Sequence, residues 1–554
     1  GLTVGKGAGS VSTNTAVGSS ALNANTTGTG IVAVGYSAAV ANTSGGSNTA
    51  LGASSLLTNT TGSSNTAVGA SALRFTSTGS SNVGVGVSAL ESNTTANENT
   101  AVGYQAVYSN TTGSAISAMG YQALRSNTTG DWVVAVGKQA LYSNTTGAQN
   151  TALGTYSLYS NTTASENTAV GYQSFYSNTT GTALTAIGFK AGYTNTTGNY
   201  NTFIGRYSGY ANTTGQQITA VGNYALYSNT TGGQNTAIGE EALWSNTTAS
   251  NNTAIGYVSL SVNTTGYSNT SIGKYAMGAN TTGSENIALG KDSLCTNTTG
   301  SYNTALGTYA LQFNTTASYN TAVGYQAGYT STTGTQNVYI GTQAGYSGNS
   351  DRTVGIGYQT LYSNTSGDRN TAAGWSAMSS NTTGSYSVAM GHQALASNTT
   401  GTYNTALGYM SLYSNTTASS NTAVGYQAAY FTTGSNNAAV GQNALVFNTT
   451  GAYNTAHGSQ SLYSNTTANN NTAVGYQSGY SNTTGYSNVA MGHTALYTNT
   501  TGANNTAIGQ QALGSNTTAS NNTAVGYQAG YSNTTGQYHT AVGYQAMRTN
   551  TTGA

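Results

Sequence analysis

Large apolar residues return along this chain on a fixed beat, separated by stretches of Ser, Thr, Asn and Gly. The segment Asn99-Thr100-Ala101-Val102-Gly103-Tyr104-Gln105 shows the pattern, and it recurs at residues 167–173, 320–326, 421–427, 471–477 and 522–528. Its glycine sets the frame. From Gly18 a glycine recurs every 17 residues to Gly341, passing through Gly103, Gly120 and Gly137. A step of 16 leads to Gly357, another leads from Gly425 to Gly441, and the 17-residue beat otherwise holds to Gly543. With Gly5 this makes thirty-three framed units. Self-similarity at a fixed period is the mark of a repeat architecture.

The residue before each frame glycine is nearly always Val, Ile, Leu or Met, as at Val102, Met119 and Val136. The residue four after it is usually Leu, as at Leu124, Leu141 and Leu158. Small residues lie two before (Ala101, Ala118) and three after (Ala123, Ala140). One unit with two large and two small apolar side chains cannot enclose a core, but stacked copies can, each covering the next. Helix is disfavoured by the Gly, Asn, Thr and Ser content and by the lack of a 3.6-residue stripe. Thr-Ala-Val is β-prone. Ser-Asn-Thr-Thr-Gly is turn chemistry, with Asn tolerating left-handed backbone and Gly supplying positive φ. The pattern therefore predicts an all-β fold, a parallel β-solenoid of about thirty-three coils. Each coil is expected to hold two short strands and two bends. At ~4.8 Å per coil the stack would measure roughly 160 Å.

Stacking turns repeated residues into columns. Asn seven after the glycine (Asn110, Asn127, Asn144, Asn161) and Asn four before it (Asn167, Asn201) are expected to form amide ladders, as are Thr hydroxyls. Tyr one after the glycine (Tyr104, Tyr121) and five after (Tyr108, Tyr142, Tyr159) is expected to stack ring on ring. These Tyr columns read either as a ligand surface or as structural ladders. The Asn-Thr-Thr triplets at Asn110, Asn127, Asn144 and Asn161 also match the N-glycosylation sequon, so they read as acceptors where that machinery exists, or simply as turn residues.

Regularity sets this chain of 554 residues apart from a disordered one of similar composition, and it predicts a single continuous domain over 1–554. The unit between Gly5 and Gly18 is short and lacks the turn, and the two 16-residue units read as tolerated deletions or local kinks. Gly1 and Thr551-Thr552-Gly553-Ala554 fall inside the repeat, which reads as a piece of a longer fibre protein. Only 4% of residues are charged and the net charge is +1. That leaves no basic stripe for nucleic acid and no field to draw the chain to an anionic membrane. No apolar run approaches the ~18 residues of a membrane-spanning helix.

The motifs Asn-Thr-Ala-Val-Gly (99–103) and Asn-Thr-Ala-Ile-Gly (235–239), each with a Gly/Ser/Thr-rich return, resemble the YadA-like head repeats of trimeric autotransporter adhesins. There the motif is Ser-Val-Ala-Ile-Gly in a shorter unit. The longer form, running from Asn-Thr-Ala-Val-Gly through Tyr-Gln-Ala-Leu-Tyr to Ser-Asn-Thr-Thr-Gly, is similar to repeats of bacterial and phage tail-fibre-like proteins. The resemblance covers essentially the whole chain. It implies a left-handed β-roll, self-association as a homotrimer, and a place at the cell surface or on a virion. The 17-residue unit and the Tyr columns depart from the adhesin pattern. Tail-fibre relatives often end in an autoproteolytic chaperone domain; none is read here, and no catalytic residue is carried over.

Candidate chemistry is sparse. His392, His457, His493 and His539 fall in four different units and suggest no metal site, and His457, in place of the apolar residue before Gly458, reads as an inward hydrogen-bonded His. Asp351-Arg352 and Asp368-Arg369, 17 residues apart, suggest a surface ion-pair ladder. Glu240 and Glu241 are adjacent and should point to opposite faces of a strand, unlike the paired carboxylates of a glycosidase. Cys295 stands where most units have Tyr and reads as a plain thiol. No enzyme, cofactor or metal is expected. The leading expectation is an extracellular structural and adhesive fibre shaft. Alternatives are an ice-binding solenoid, marked by two parallel Thr columns on a flat face without Tyr, and a phage tail fibre or spike shaft that binds a receptor or polysaccharide.

Overall fold

The computed structural model describes residues 4–552, so residues 1–3 and 553–554 of the termini cited above lie outside it. The described chain is all-β apart from one 3₁₀ turn at Ala8–Ser10. It forms two compact units. One ends at Lys274 and also takes in Ala279–Thr282; the other holds Tyr275–Gly278 and the described residues from Gly283 onward. Each unit is a parallel β-solenoid with one strand per coil. The first carries β2 (Thr15–Val17) to β17 (Thr270–Ile272), and the second β18 (Ile287–Leu289) to β33 (Thr540–Val542).

Like residues lie over like. β7 (Thr100–Val102) pairs in parallel with β8 (Ser117–Met119), placing Thr100 beside Ser117, Ala101 beside Ala118 and Val102 beside Met119. The 16-residue steps leave this register intact: Val338 pairs with Val354, and Thr422 with Ala438. They are absorbed deletions in the turn, as solenoid loops allow. The first framed unit differs. β1 (Val4–Gly5) runs antiparallel to β2, with Val4 opposite Val17, so Gly5 does not begin a coil.

Each coil holds one three-residue strand, not the two expected. The rest is held out of extended geometry by left-handed residues two, four and twelve after the frame glycine, such as Gln122 (φ 52°), Leu124 (φ 53°) and Trp132 (φ 53°). These are not the Asn and Gly to which the sequence assigned left-handed backbone. Such conformations are costly for residues with a Cβ. They persist because the kinked backbone still bonds from coil to coil. Leu124 N–H donates to Ala140 C=O at 2.9 Å and Thr128 N–H to Thr145 C=O at 2.8 Å. The backbone is thereby satisfied along the axis without a second strand.

The core is also one residue out of phase with the expectation. Leu124 and Leu141 are fully buried as expected, but the strand residue facing inward is the alanine, Ala101 or Ala118. Val102 is half-buried and Met119 is exposed. A three-residue strand can turn only its middle side chain inward, so the flanking Thr and Val face out. His457 follows the same rule: it ends its strand and is exposed, not inward.

Where the inward alanine is replaced by a ring, the neighbours make room. Phe203 and Tyr339 occupy that position, both fully buried. The Leu positions beside them are Gly192 and Gly209 around Phe203, and Gly328 and Gly345 around Tyr339. A Cβ on Gly209 would come within 2.4 Å of the Phe203 ring, and one on Gly345 within 2.3 Å of the Tyr339 ring. The core conserves volume over adjacent coils and not coil by coil.

Candidate interaction surfaces

The inner polar columns are buried and bond from coil to coil. Asn110, Asn127, Asn144 and Asn161 are fully buried. Asn127 Nδ2 donates to Asn110 Oδ1 at 2.9 Å and to its own turn, at Gly130 C=O, at 3.0 Å. Asn144 and Asn161 repeat both bonds. The nitrogen that would carry a glycan is therefore enclosed with both hydrogens engaged, and a carbohydrate there is incompatible with the folded coil. Turn geometry and buried amide pairing account for the sequons. The second Asn column bonds differently: Asn150 Oδ1 accepts the Asn167 N–H at 3.0 Å while Asn150 Nδ2 donates to Ala164 C=O at 2.8 Å.

In the turn that follows the buried Asn, the Thr hydroxyl bonds to a backbone carbonyl of the next coil. Thr111 Oγ1 donates to Thr128 C=O, and Thr128 Oγ1 to Thr145 C=O, each at 3.0 Å. The outer strand face carries one Thr column, at Thr151 and Thr168, beside an aliphatic column and then Tyr. Two parallel Thr columns free of Tyr, the arrangement an ice-binding face would show, are not what this face presents.

The outer columns stack as the spacing predicts. Tyr104 and Tyr121 lie 5.4 Å apart between ring centroids, 13° from parallel. In the column five after the glycine, Tyr142, Tyr159, Tyr176, Tyr193, Tyr210 and Tyr227 stack successively at 5.1–5.3 Å. Burial, and then the neighbouring phenols, push the Tyr176 and Tyr227 hydroxyls above the usual tyrosine range. Face-to-face stacking hides the ring faces and shows solvent only edges and hydroxyls. Beside it runs a Gln column that the sequence reading passed over. Gln122 Nε2 donates to Gln105 Oε1 at 3.0 Å and Gln139 Nε2 to Gln122 Oε1 at 2.8 Å. The recurrence of Gln two after the frame glycine was the signal for it.

The strand residues before the glycines and the Tyr after them form an exposed apolar strip within each unit. In the first unit it includes Met119, Val136, Leu153 and Ile187 with Tyr104, Tyr121 and Tyr172; in the second, Ile340, Ile356 and Met390 with Tyr358 and Trp375.

The expected Asp–Arg ladder does not form. Asp351 and Asp368 are not paired with Arg352 and Arg369. Instead Asp351 Oδ1 accepts the Thr335 N–H at 2.7 Å and Asp368 Oδ1 the Asp351 N–H at 2.8 Å, while the arginines bond to Gln336 and Tyr386. The acids are turn acceptors because the preceding coil presents an N–H at that point. His392 sits in the outer ring column between Trp375 and Tyr409. Cys295 is half-buried, and burial pushes its thiol up. Among the described residues no three His, Cys, Asp or Glu side chains gather, and no helix is long and apolar enough to cross a membrane. No known family model and no curated protein matches the chain.

Proposed function

We propose that the chain is the shaft of an extracellular structural and adhesive fibre, built by lateral association of copies of itself. The observation that carries this is the exposed apolar strip on a nearly uncharged solenoid. The inner polar columns are buried and bond mostly from coil to coil, so a coil offers little chemistry to a substrate. The strip is different. In the first unit Tyr104, Tyr121 and Tyr172 are 42–48% exposed beside Met119, Val136, Leu153 and Ile187 at 37–55%, an apolar area that another copy would remove from water. A net charge of +1 sets up no repulsion between copies. The resemblance to adhesin and tail-fibre repeats supports three chains as the assembly and a cell or virion surface as the setting.

Native mass spectrometry with electron microscopy tests the proposal. The expected result is a multiple of the chain mass and elongated particles. Replacing Val136, Leu153 and Ile187 together by Lys should leave the circular dichroism unchanged and release single chains. A native chain that stays monomeric at micromolar concentration overturns the assembly.

A further inference from the structure

Near Gly514 in the second unit a gap in the ring column lies beside a gap in the Gln column. The ring column runs Tyr463, Tyr480, Tyr497 with centroids 5.0 and 5.2 Å apart, and then Gly514 supplies no ring. The next member is Tyr531, whose ring edge leans over Gly514: a Cβ there would meet it at 2.9 Å. The Gln column breaks alongside. Gln545 donates to Gln528 and Gln528 to Gln511, but the preceding residue of the column is Thr494. Gln511 Oε1 is thus engaged, at 2.6 Å, while its Nε2 has no acceptor among the described residues.

The result is a cleft of about 340 Å³ lined by Thr494, Tyr497, Thr498, Gln511, Gly514 and Ser515, with Tyr531 as its floor. That volume lies at the lower end of small-ligand sites. From Tyr463 to Tyr497 ring faces cover one another; beyond Tyr497 the next coil brings no ring to cover its face. Around it stand the Gln511 amide N–H groups and the Ser515 hydroxyl as donors. Thr498 Oγ1, whose proton is directed to Gly514 C=O at 2.9 Å, keeps its lone pairs as an acceptor. No carboxylate, ammonium or guanidinium lines the cleft.

We infer that this cleft binds a neutral pyranose, one sugar ring of a surface glycan. The apolar C–H face of the sugar lies on Tyr497, and its hydroxyl edge takes the Gln511 N–H groups and Ser515. The Gln511 amide and the Ser515 hydroxyl line the cleft, and a bare aromatic guest would leave them unsatisfied. The inference deepens the adhesive part of the proposed function and rests on it, by giving the shaft a ligand class.

Saturation-transfer NMR on the full chain tests it, with the methyl pyranosides of β-glucose, β-galactose and α-mannose, and p-cresol as the aromatic comparator. At least one pyranoside should bind. Gly514→Tyr restores the missing ring and should abolish binding. Thr494→Gln restores the missing rung, occupies the Gln511 amide and should weaken binding roughly tenfold, the worth of one good hydrogen bond. Both changes copy neighbouring coils, and circular dichroism confirms that each variant folds. Binding of no pyranoside, of p-cresol alone, or of a pyranoside equally well to both variants overturns the inference. A chain that still forms elongated assemblies then loses only the cleft; one that neither assembles nor binds loses the shaft as well.

Discussion

Asn127 Nδ2 lies 2.9 Å from Asn110 Oδ1, fully shielded from water, and Asn144 makes the same bond to Asn127 at 2.8 Å. Each rung is donor to one neighbour and acceptor to the other. Removing one therefore orphans groups on both sides. Asn127→Ala should cost about 2–4 kcal/mol, since a buried polar group left alone costs ~1–3 kcal/mol. Urea unfolding gives the magnitude, and hydrogen exchange should show the opening centred on the coils of Asn110 and Asn144. Exchange no faster there than in distant coils would show that the column does not hold the stack.

The column has natural gaps, and these should be repairable. Ser331 stands where an Asn is usual, and both its hydroxyl and Asn314 Oδ1 are buried without partners. Ser331→Asn would supply the missing donor. It should raise stability by about 1 kcal/mol, the net worth of a buried hydrogen bond. A lower urea midpoint would mean that Tyr339 leaves no space for the longer side chain.

Two glycines that look equivalent in the repeat should respond differently to alanine. Gly103 has φ 137°, and a Cβ there would lie 2.3 Å from the Gly120 carbonyl oxygen, which is backbone and cannot move aside. Gly103→Ala should cost upwards of about 3 kcal/mol. Gly113 lacks the positive φ; its Cβ would meet Asn110 Oδ1 and Gly130 C=O, each at 2.6 Å. Ala96, Ala164 and Ala249 already occupy that column in other coils, so the site opens when a methyl is present. Gly113→Ala should stay within ~1 kcal/mol. Equal melting temperatures for the two variants would refute the distinction.

The two glycines also show what the sequence made legible. Period, parallel register and stacked columns followed from spacing alone, because a 17-residue beat has one economical solution. Which residue faces inward did not follow. Val102 and Ala101 are both apolar, and hydropathy favours the larger, while the short strand buries the smaller. The left-handed residues were hidden as well. Leu124 has no local reason to adopt φ 53°, and only the coil-to-coil bond to Ala140 enforces it. The cleft at Gly514 was legible as a departure from the column pattern, but only the ring stacking that ends at Tyr497 gives that departure meaning.

Compensation around Phe203 should be measurable as coupling. Phe203→Ala alone leaves a ring-sized cavity against Gly192 and Gly209 and should cost about 3–5 kcal/mol. Gly209→Leu alone drives a side chain into the ring and should cost ~1–3 kcal/mol. Gly209 has φ 58° and Leu124 φ 53°, so the backbone accepts leucine there. With Phe203→Ala, Gly192→Leu and Gly209→Leu combined, the coils match their neighbours and most of the loss should return. A thermodynamic cycle with additive losses would show that the glycines are unrelated to the ring.

Tyr339 should make the second unit sensitive to alkali. Burial pushes its phenol up to about 12; the hydroxyl of Ser350, 3.3 Å away, lowers it, and Asp351 and Asp368 add to the rise. The folded chain thus holds this proton more tightly than the unfolded chain, whose phenol titrates near the usual 10. The stabilisation is whole below pH ~10 and is lost as pH rises from there towards 12. Two units correspond to about 3 kcal/mol in full, of which about 2 kcal/mol should be gone by pH ~11.5. Tyr339→Phe keeps the ring and removes the titration. Its urea midpoint should fall less than that of the native chain between pH ~9 and ~11.5, while the outer-column phenols, such as Tyr346 and Tyr480, contribute equally to both. Parallel losses in the two proteins would place the alkaline sensitivity in the outer stack and not in the core.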